Sequence, residues 1–224
     1  MAWIFVNYLM PNLVRGDLQK SPAGRETHTL ISMPLRLLSL FILLFSTAAL
    51  AKGDAMTTTN QTAYLSGGCF WGMEELVRQI PGVLETEVGY TGGETPNATY
   101  EIVKAGRSGH AESLKILFDA NRLTYRHLLF EFFRMHNPTT QNRQGNDFGT
   151  QYRSAIFYAN EEQKRTAEEV IRTVESSGEW QAKIVTEIVP FNSFFRAEEY
   201  HQDYLVKHPQ GYTCHYIRRM DLGE

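Results

Sequence analysis

The stretch "AYLSGGCFWGMEELVRQIPGVLETEVGYTGG", residues 63–93, decides the architecture. "AYLSGG" reads as a short strand running into two glycines, and "FWGMEELVRQIPG" as a helix stopped at Pro81 and Gly82. "VLETEVGYTGG" alternates as a second strand before Gly92 and Gly93 open a loop. Strand, glycine turn, helix and strand in succession place Cys69 at or near a helix N-terminus. It is one of only two cysteines in the chain.

The pattern continues outward. The loop is expected to run to about Gly109. "HAESLKILFDA" (110–120) then alternates, with Leu114, Ile116 and Phe118 on one face, Ser113 and Lys115 on the other, and Glu112 sharing the apolar face. "LTYRHLLFEFFRMHNP" (123–138) carries Leu128, Leu129, Phe132 and Met135 at helical spacing and stops at Pro138. The polar "TTQNRQGNDFGTQYR" is expected as a loop and "SAIFYA" as a strand. "NEEQKRTAEEVIRTVESSG" is a helix capped by Asn160, with Gln163 three residues on. "KIVTEIVP" reads as a strand, "FNSFFRAEEYHQDYLVKHP" as a further helix, and "QGYTCHYIRRM" as loop or extended tail. Strands interleaved with helices predict a single α/β (α+β) domain on a mixed sheet.

The start reads differently. "MPLRLLSLFILLFSTAALAKGDAM" (33–56) has Arg36, an apolar run from Leu37 to Phe45, and small residues around Ala49 and Ala51. This is the pattern of a secretory signal peptide over 33–51, with an apolar run short for a membrane span. Met33 is expected to be the true start, with residues 1–32 an untranslated or disordered extension. Residues 52–62 are expected as a flexible linker and 63–220 as the domain. The mature protein is then exported, to a periplasm, with no stable membrane association and as a monomer.

At 224 residues and 42% hydrophobic, the chain can build one well-filled core. Residues 1–51 hold four Lys/Arg and two Asp/Glu, so the net charge of −3 becomes −5 for the remainder. A mildly acidic domain without a basic run is a poor candidate for binding nucleic acid. The seven histidines are scattered, without zinc-ligand spacing, so neither a metal nor another cofactor is expected. There is no C-x-x-C, and "GYTGGETP" fits neither glycine-rich phosphate pattern.

Two residues invite chemistry. A thiol at a helix N-terminus feels the positive end of the dipole, which lowers its pKa, although Glu74 and Glu75 would act the other way. Cys69 is therefore either a nucleophile or half of a structural disulfide with Cys214, which would contribute roughly 2–5 kcal/mol. Glu112 is either a buried carboxyl kept protonated as a proton donor, or an acid turned to solvent by a bulge. Phe70 and Trp71 are either core residues, the commoner fate of adjacent aromatics, or an exposed apolar wall. A soft nucleophile, a proton donor and such a wall together suit reduction of a sulfoxide. Its sulfur becomes attackable as its oxygen is protonated. The resulting sulfenic acid can condense with a second thiol, for which Cys214 on a mobile tail is the candidate. The rivals are a cysteine hydrolase with His110 as base, and an exported binding domain stapled by a Cys69–Cys214 disulfide.

The runs "GGCFWGMEE", "VGYTGG", Tyr100, "SGHAES", "FFRMHNPTTQNRQGNDFGTQYRS" and "AEEYHQDYL" resemble the signature of peptide methionine sulfoxide reductase, A type, over about residues 63–218. The resemblance implies Cys69 as nucleophile and Glu112 as acid. It implies Tyr100 and Tyr152 as holders of the sulfoxide oxygen, Asp147 as the loop aspartate supporting the site, and Phe70 and Trp71 as receivers of the substrate methyl. Cys214 then matches the recycling cysteine. It further implies specificity for the S epimer, thioredoxin or a similar dithiol as reductant, and a two-layer α/β sandwich with a ferredoxin-like core.

Overall fold

The computed structural model of the protein describes residues 59–224. The expected extension and signal peptide, and most of the expected linker, lie outside the described residues. The end of that linker does not behave as one, because Asn60–Thr62 already belong to the first strand. β1 (Asn60–Gly67), α1 (Phe70–Val77) and β2 (Val83–Thr91) follow the reading of residues 63–93 closely.

β3 (Ala111–Asp119) runs between β1 and β2 and is antiparallel to both. α3 (Tyr125–Met135) follows α2, a short helix at Tyr100–Lys104, and leads on to β6 (Ser154–Tyr158), which pairs antiparallel with β1. These parts give a βαββαβ chain with strand order β6-β1-β3-β2, a ferredoxin-like core. β7 (Glu187–Pro190) extends it in parallel beside β6, and β8 (Phe194–Arg196) in antiparallel beside β2. The parallel pair needs a crossover, which α4 (Glu161–Ser177) supplies. The sheet is therefore mixed, and the whole is a single α/β domain.

Helix ends follow local chemistry. The Thr124 side chain accepts the His127 N–H at 3.1 Å, and that of Asn160 accepts the Gln163 N–H at 2.9 Å, each satisfying a donor of the first turn. α4 stops at Gly178, whose φ of 73° is the left-handed cap that glycine adopts without strain. The core lies between the sheet and the helices, with Phe70, Leu114, Ile116, Phe118, Phe130, Phe132 and Phe133 almost fully buried.

Three departures from the sequence reading have physical reasons. Residues 94–109 are not all loop: α2 forms there, and its Tyr100 N–H bonds to Glu198 Oε1 at 2.9 Å. The polar run 139–153 holds a two-residue hairpin, β4 (Arg143–Gln144) and β5 (Asp147–Phe148), then a 3₁₀ turn at Thr150–Tyr152. Residues 191–209 are not one helix. The sheet edge at β2 claims Phe194–Arg196 as a strand, Phe191 stacks on Tyr64 with ring centroids 3.8 Å apart, and only Tyr204–Lys207 (α5) turns helical.

Candidate active site

The backbone turns sharply after β1 and delivers Cys69 to the N-cap of α1. Gly68 makes this turn at φ 105°, and a side chain there would press on Gln144 as well. Cys69 is 6% exposed. Burial, then the carboxyl of Glu112, push its thiol well above the ordinary value, against the Trp71 backbone N–H, which favours thiolate. The expected lowering by the helix terminus is thus outweighed in the free protein. Glu74 and Glu75 are not the opposing charges, because both bind Arg78, at 3.3 and 3.1 Å.

Glu112 stands opposite Tyr90 in an unbroken stretch of the β2–β3 register, so no bulge turns it outward. It is 4% exposed, and its Oε2 accepts the Phe70 N–H at 3.1 Å. Desolvation pushes this carboxyl up to about 8; the Phe70 bond lowers it, and Asp147 raises it further. At neutral pH it is mostly a neutral acid beside the start of α1. Its strand neighbour Ser113, expected on the outer face, is also buried and shares a 2.6 Å hydrogen bond with Ser66.

Tyr100 opens α2 and Tyr152 closes the 3₁₀ turn. The phenols of both are raised, first by burial and then by Glu112, with Cys69 also acting on each. Asp147 begins β5, and its Oδ2 accepts from Tyr212 Oη at 3.1 Å and from Cys214 Sγ at 3.3 Å. Trp71 is half-buried and stacks on Tyr204 with centroids 3.7 Å apart, leaving a partly accessible ring beside the site. Phe70 is 2% exposed and belongs to the core as much as to the wall.

Cys214 was expected on a mobile tail. Instead the tail is docked: Cys214 Sγ donates to Asp147 Oδ2 at 3.3 Å and lies 3.6 Å from His215 Nδ1, and its thiol is pushed up to about 12, by burial first and then by Asp147. Gly145 leaves room for it, since a Cβ there would come 2.8 Å from Cys214 Cβ. Both cysteines are free thiols. Glu112 is bonded to Phe70, the first residue of α1, with Trp71 next in that helix, while Cys214 and Asp147 are bonded to each other.

His110 does something else. Its Nδ1 accepts from Gly93 N at 3.2 Å and its Nε2 donates to Thr95 O at 2.8 Å, so the ring ties the β2–β3 connection together and has no free nitrogen for use as a base or to orient Glu112.

Several residues of the site were missed. His201 is 1% exposed, accepts the Trp71 indole N–H at 3.0 Å and lies against the rings of Phe70 and Tyr100. Glu198 accepts from Tyr90 Oη and from the Tyr100 backbone, both at 2.9 Å. Desolvation raises its carboxyl, but these bonds outweigh it and hold the group below its ordinary value. Glu198 and His201 both lie in "AEEYHQDYL", one of the runs that carry the resemblance, spaced i and i+3, but that resemblance gives neither a role and the segment reads as a plain helix.

The peptide methionine sulfoxide reductase family model matches residues 61–222. The chain is 55% identical over 163 residues to peptide methionine sulfoxide reductase MsrA of Streptomyces coelicolor, and 53% identical over 163 residues to MsrA 1 of Mesorhizobium japonicum. Each match covers 73% of this chain and 92% of the relative. The fold superposes on Mxr1 from Saccharomyces cerevisiae in its reduced form with a TM-score of 0.68 at 39% identity, over 71% of this chain and 93% of that one. With a buried thiol, a neutral acid and a flanking indole in place, the chain belongs to the peptide methionine sulfoxide reductase family, A type, and is an oxidoreductase.

Proposed function

We propose that Cys69 and Glu112 carry the reduction of methionine sulfoxide, and that the observation supporting this most directly is the buried Glu112 carboxyl bound to the first N–H of the helix that Cys69 caps. The sulfoxide oxygen lies toward Glu112, Tyr100 and Tyr152, and the substrate methyl against Trp71, backed by Phe70. Cys69 sulfur attacks the sulfoxide sulfur while Glu112 gives a proton to the oxygen. The S–O bond breaks and the oxygen leaves as water with the thiol proton, so that Cys69 is briefly joined to the methionine sulfur. Water then adds to Cys69 sulfur as that S–S bond breaks, methionine leaves, its last proton returns to Glu112, and Cys69 becomes a sulfenic acid. Asp147 holds the hairpin side of the pocket. Because nucleophile, oxygen donors and methyl wall are three unlike partners in fixed places, only one epimer fits, and the family resemblance makes it the S epimer.

Cys214 then closes a disulfide with Cys69, releasing water, and a thioredoxin-like dithiol reduces it. The substrates are methionine sulfoxide in oxidised proteins or free. The leader pattern over 33–51 supports export to the periplasm with cleavage after Ala51, and the domain acts as a monomer. The hydrolase reading loses support because both nitrogens of its base, His110, are engaged by loop backbone.

The test is single-turnover reduction of the separate R and S epimers of N-acetyl methionine sulfoxide by prereduced protein, with thiols counted before and after. Loss of two thiols per S-sulfoxide, with the R epimer untouched, is expected. Reduction of neither epimer would return Cys69 to a structural role.

A further inference from the structure

Once Cys69 is a sulfenic acid, Cys214 must lose a proton to attack it, and burial together with Asp147 makes that thiol reluctant to ionise. One ring is placed to help. His215 follows Cys214 and is 6% exposed. Its Nε2 lies 2.7 Å from Gly67 O, and a carbonyl oxygen can only accept, so Nε2 carries the hydrogen and Nδ1 is a bare lone pair. That Nδ1 faces Cys214 Sγ at 3.6 Å. The ring cannot drift: its backbone N–H donates to Thr213 Oγ1 at 3.1 Å, and Gly72 packs so closely that a Cβ there would come 2.7 Å from Nδ1. Burial holds the imidazole down to about 4, which keeps it neutral in the resting protein.

We propose that His215 Nδ1 is the base that removes the Cys214 thiol proton as Cys214 closes the disulfide, an inference that rests on Cys214 being the resolving thiol. The thiol proton passes to Nδ1, the freed sulfur forms a bond to Cys69 sulfur, and the S–O bond of the sulfenic acid breaks with its electron pair on oxygen. The departing hydroxide takes back the proton as water. No external oxidant or reductant enters this step. Asp147 is the other acceptor near the sulfur, at 3.3 Å, but its carboxylate repels a developing thiolate. An imidazolium would attract that thiolate and would itself be stabilised by Asp147. His215 is therefore a catalytic residue of the recycling step and idle in the reduction step.

His215→Gln tests this, because an amide N–H can still reach Gly67 O while the amide oxygen is far too weak a base to stand in for Nδ1. In a single turnover the variant should release methionine at the wild-type rate, and disulfide closure should slow roughly 100-fold, with the sulfenic acid trappable by dimedone. In a Cys69→Ser background, His215→Gln should also slow alkylation of Cys214 by iodoacetamide, whereas a tail merely loosened would be alkylated faster. Wild-type closure rates, or faster alkylation, overturn the proposal. Cys214→Ser separates it from the underlying reading. That variant should stall under a dithiol protein donor, and full turnover would remove Cys214 from recycling and this inference with it. A stalled Cys214→Ser alongside a fast His215→Gln would overturn the base alone.

Discussion

Glu112 carries a proton that an ordinary carboxyl would have lost by neutral pH, and this ties activity to stability. Its pKa rises from 4.5 to about 8 on folding. Below about pH 4.5 both the folded and unfolded states hold the proton. Between there and about 8 the unfolded chain releases it and the folded one does not, so wild-type stability falls through that window and then levels off. Glu112→Gln, which keeps an oxygen for the Phe70 N–H, should remove this slope. Urea unfolding should show the variant more stable than wild type by on the order of 5 kcal/mol at pH 9, and nearly equal at pH 4. The same substitution should slow sulfoxide reduction about 100-fold or more at pH 7, and the wild-type rate should decline as pH rises through about 8. Both carboxyl and thiol were legible in the sequence, because an acid on an apolar strand face and a cysteine between glycines and a helix start are each anomalous. The direction of the Cys69 shift was not. It depends on burial and on a carboxyl 43 residues away in the chain, and the sequence displays neither.

The glycines of "GGCFWG" have separate tasks at the level of elements. Gly68 turns the chain, and Gly72 gives α1 a bare side against which the tail lies. A methyl on Gly72 would overlap Thr213 Oγ1 and crowd His215. Gly72→Ala ordinarily favours a helix, by roughly 1 kcal/mol, so the helix should survive while the tail is displaced. The expected outcome is near-normal methionine release in one turnover and slow loss of the second thiol, read by stopped-flow quench and thiol counting. Gly68→Ala should instead lower thermal stability, through its φ of 105° and the press on Gln144, by roughly 1–3 kcal/mol in a calorimetric scan. Strands and helices with a clear period were legible: β1, α1, β2, β3, α3, β6 and α4. Elements that exist because of a distant partner were not. α2 has its first N–H taken by Glu198, β8 exists because β2 offers an edge, and the β4–β5 hairpin sits in a polar run with no period to read. His201 and His215 escaped for the same reason, since their partners, Trp71 and Gly67, lie more than a hundred residues away.

Across the whole molecule, the tail works as a strap fixed at both ends of its course. It is tied at His215 to the end of β1, and at its far end Leu222 is fully buried in the core while Glu224 pairs with Arg134 at 3.1 Å and with His127. Between them the Arg218 backbone N–H bonds to Arg134 O at 3.0 Å, so the strap runs along α3. The recycling thiol is therefore held by the same contacts that complete the core, which the sequence could not show for a segment with neither period nor turn signal. Deleting Asp221–Glu224 tests that coupling. Losing a buried leucine should cost about 2–3 kcal/mol of stability, seen as a lower urea midpoint with an unchanged slope. The exposed ion pairs should add little. If the strap also sets the position of Cys214, donor-driven turnover should fall severalfold while single-turnover methionine release stays intact, because Cys69, Glu112 and Trp71 are held by the sheet and α1 rather than by the tail. Equal loss of both activities would mean that the far end of the tail supports the whole domain and not the recycling step in particular.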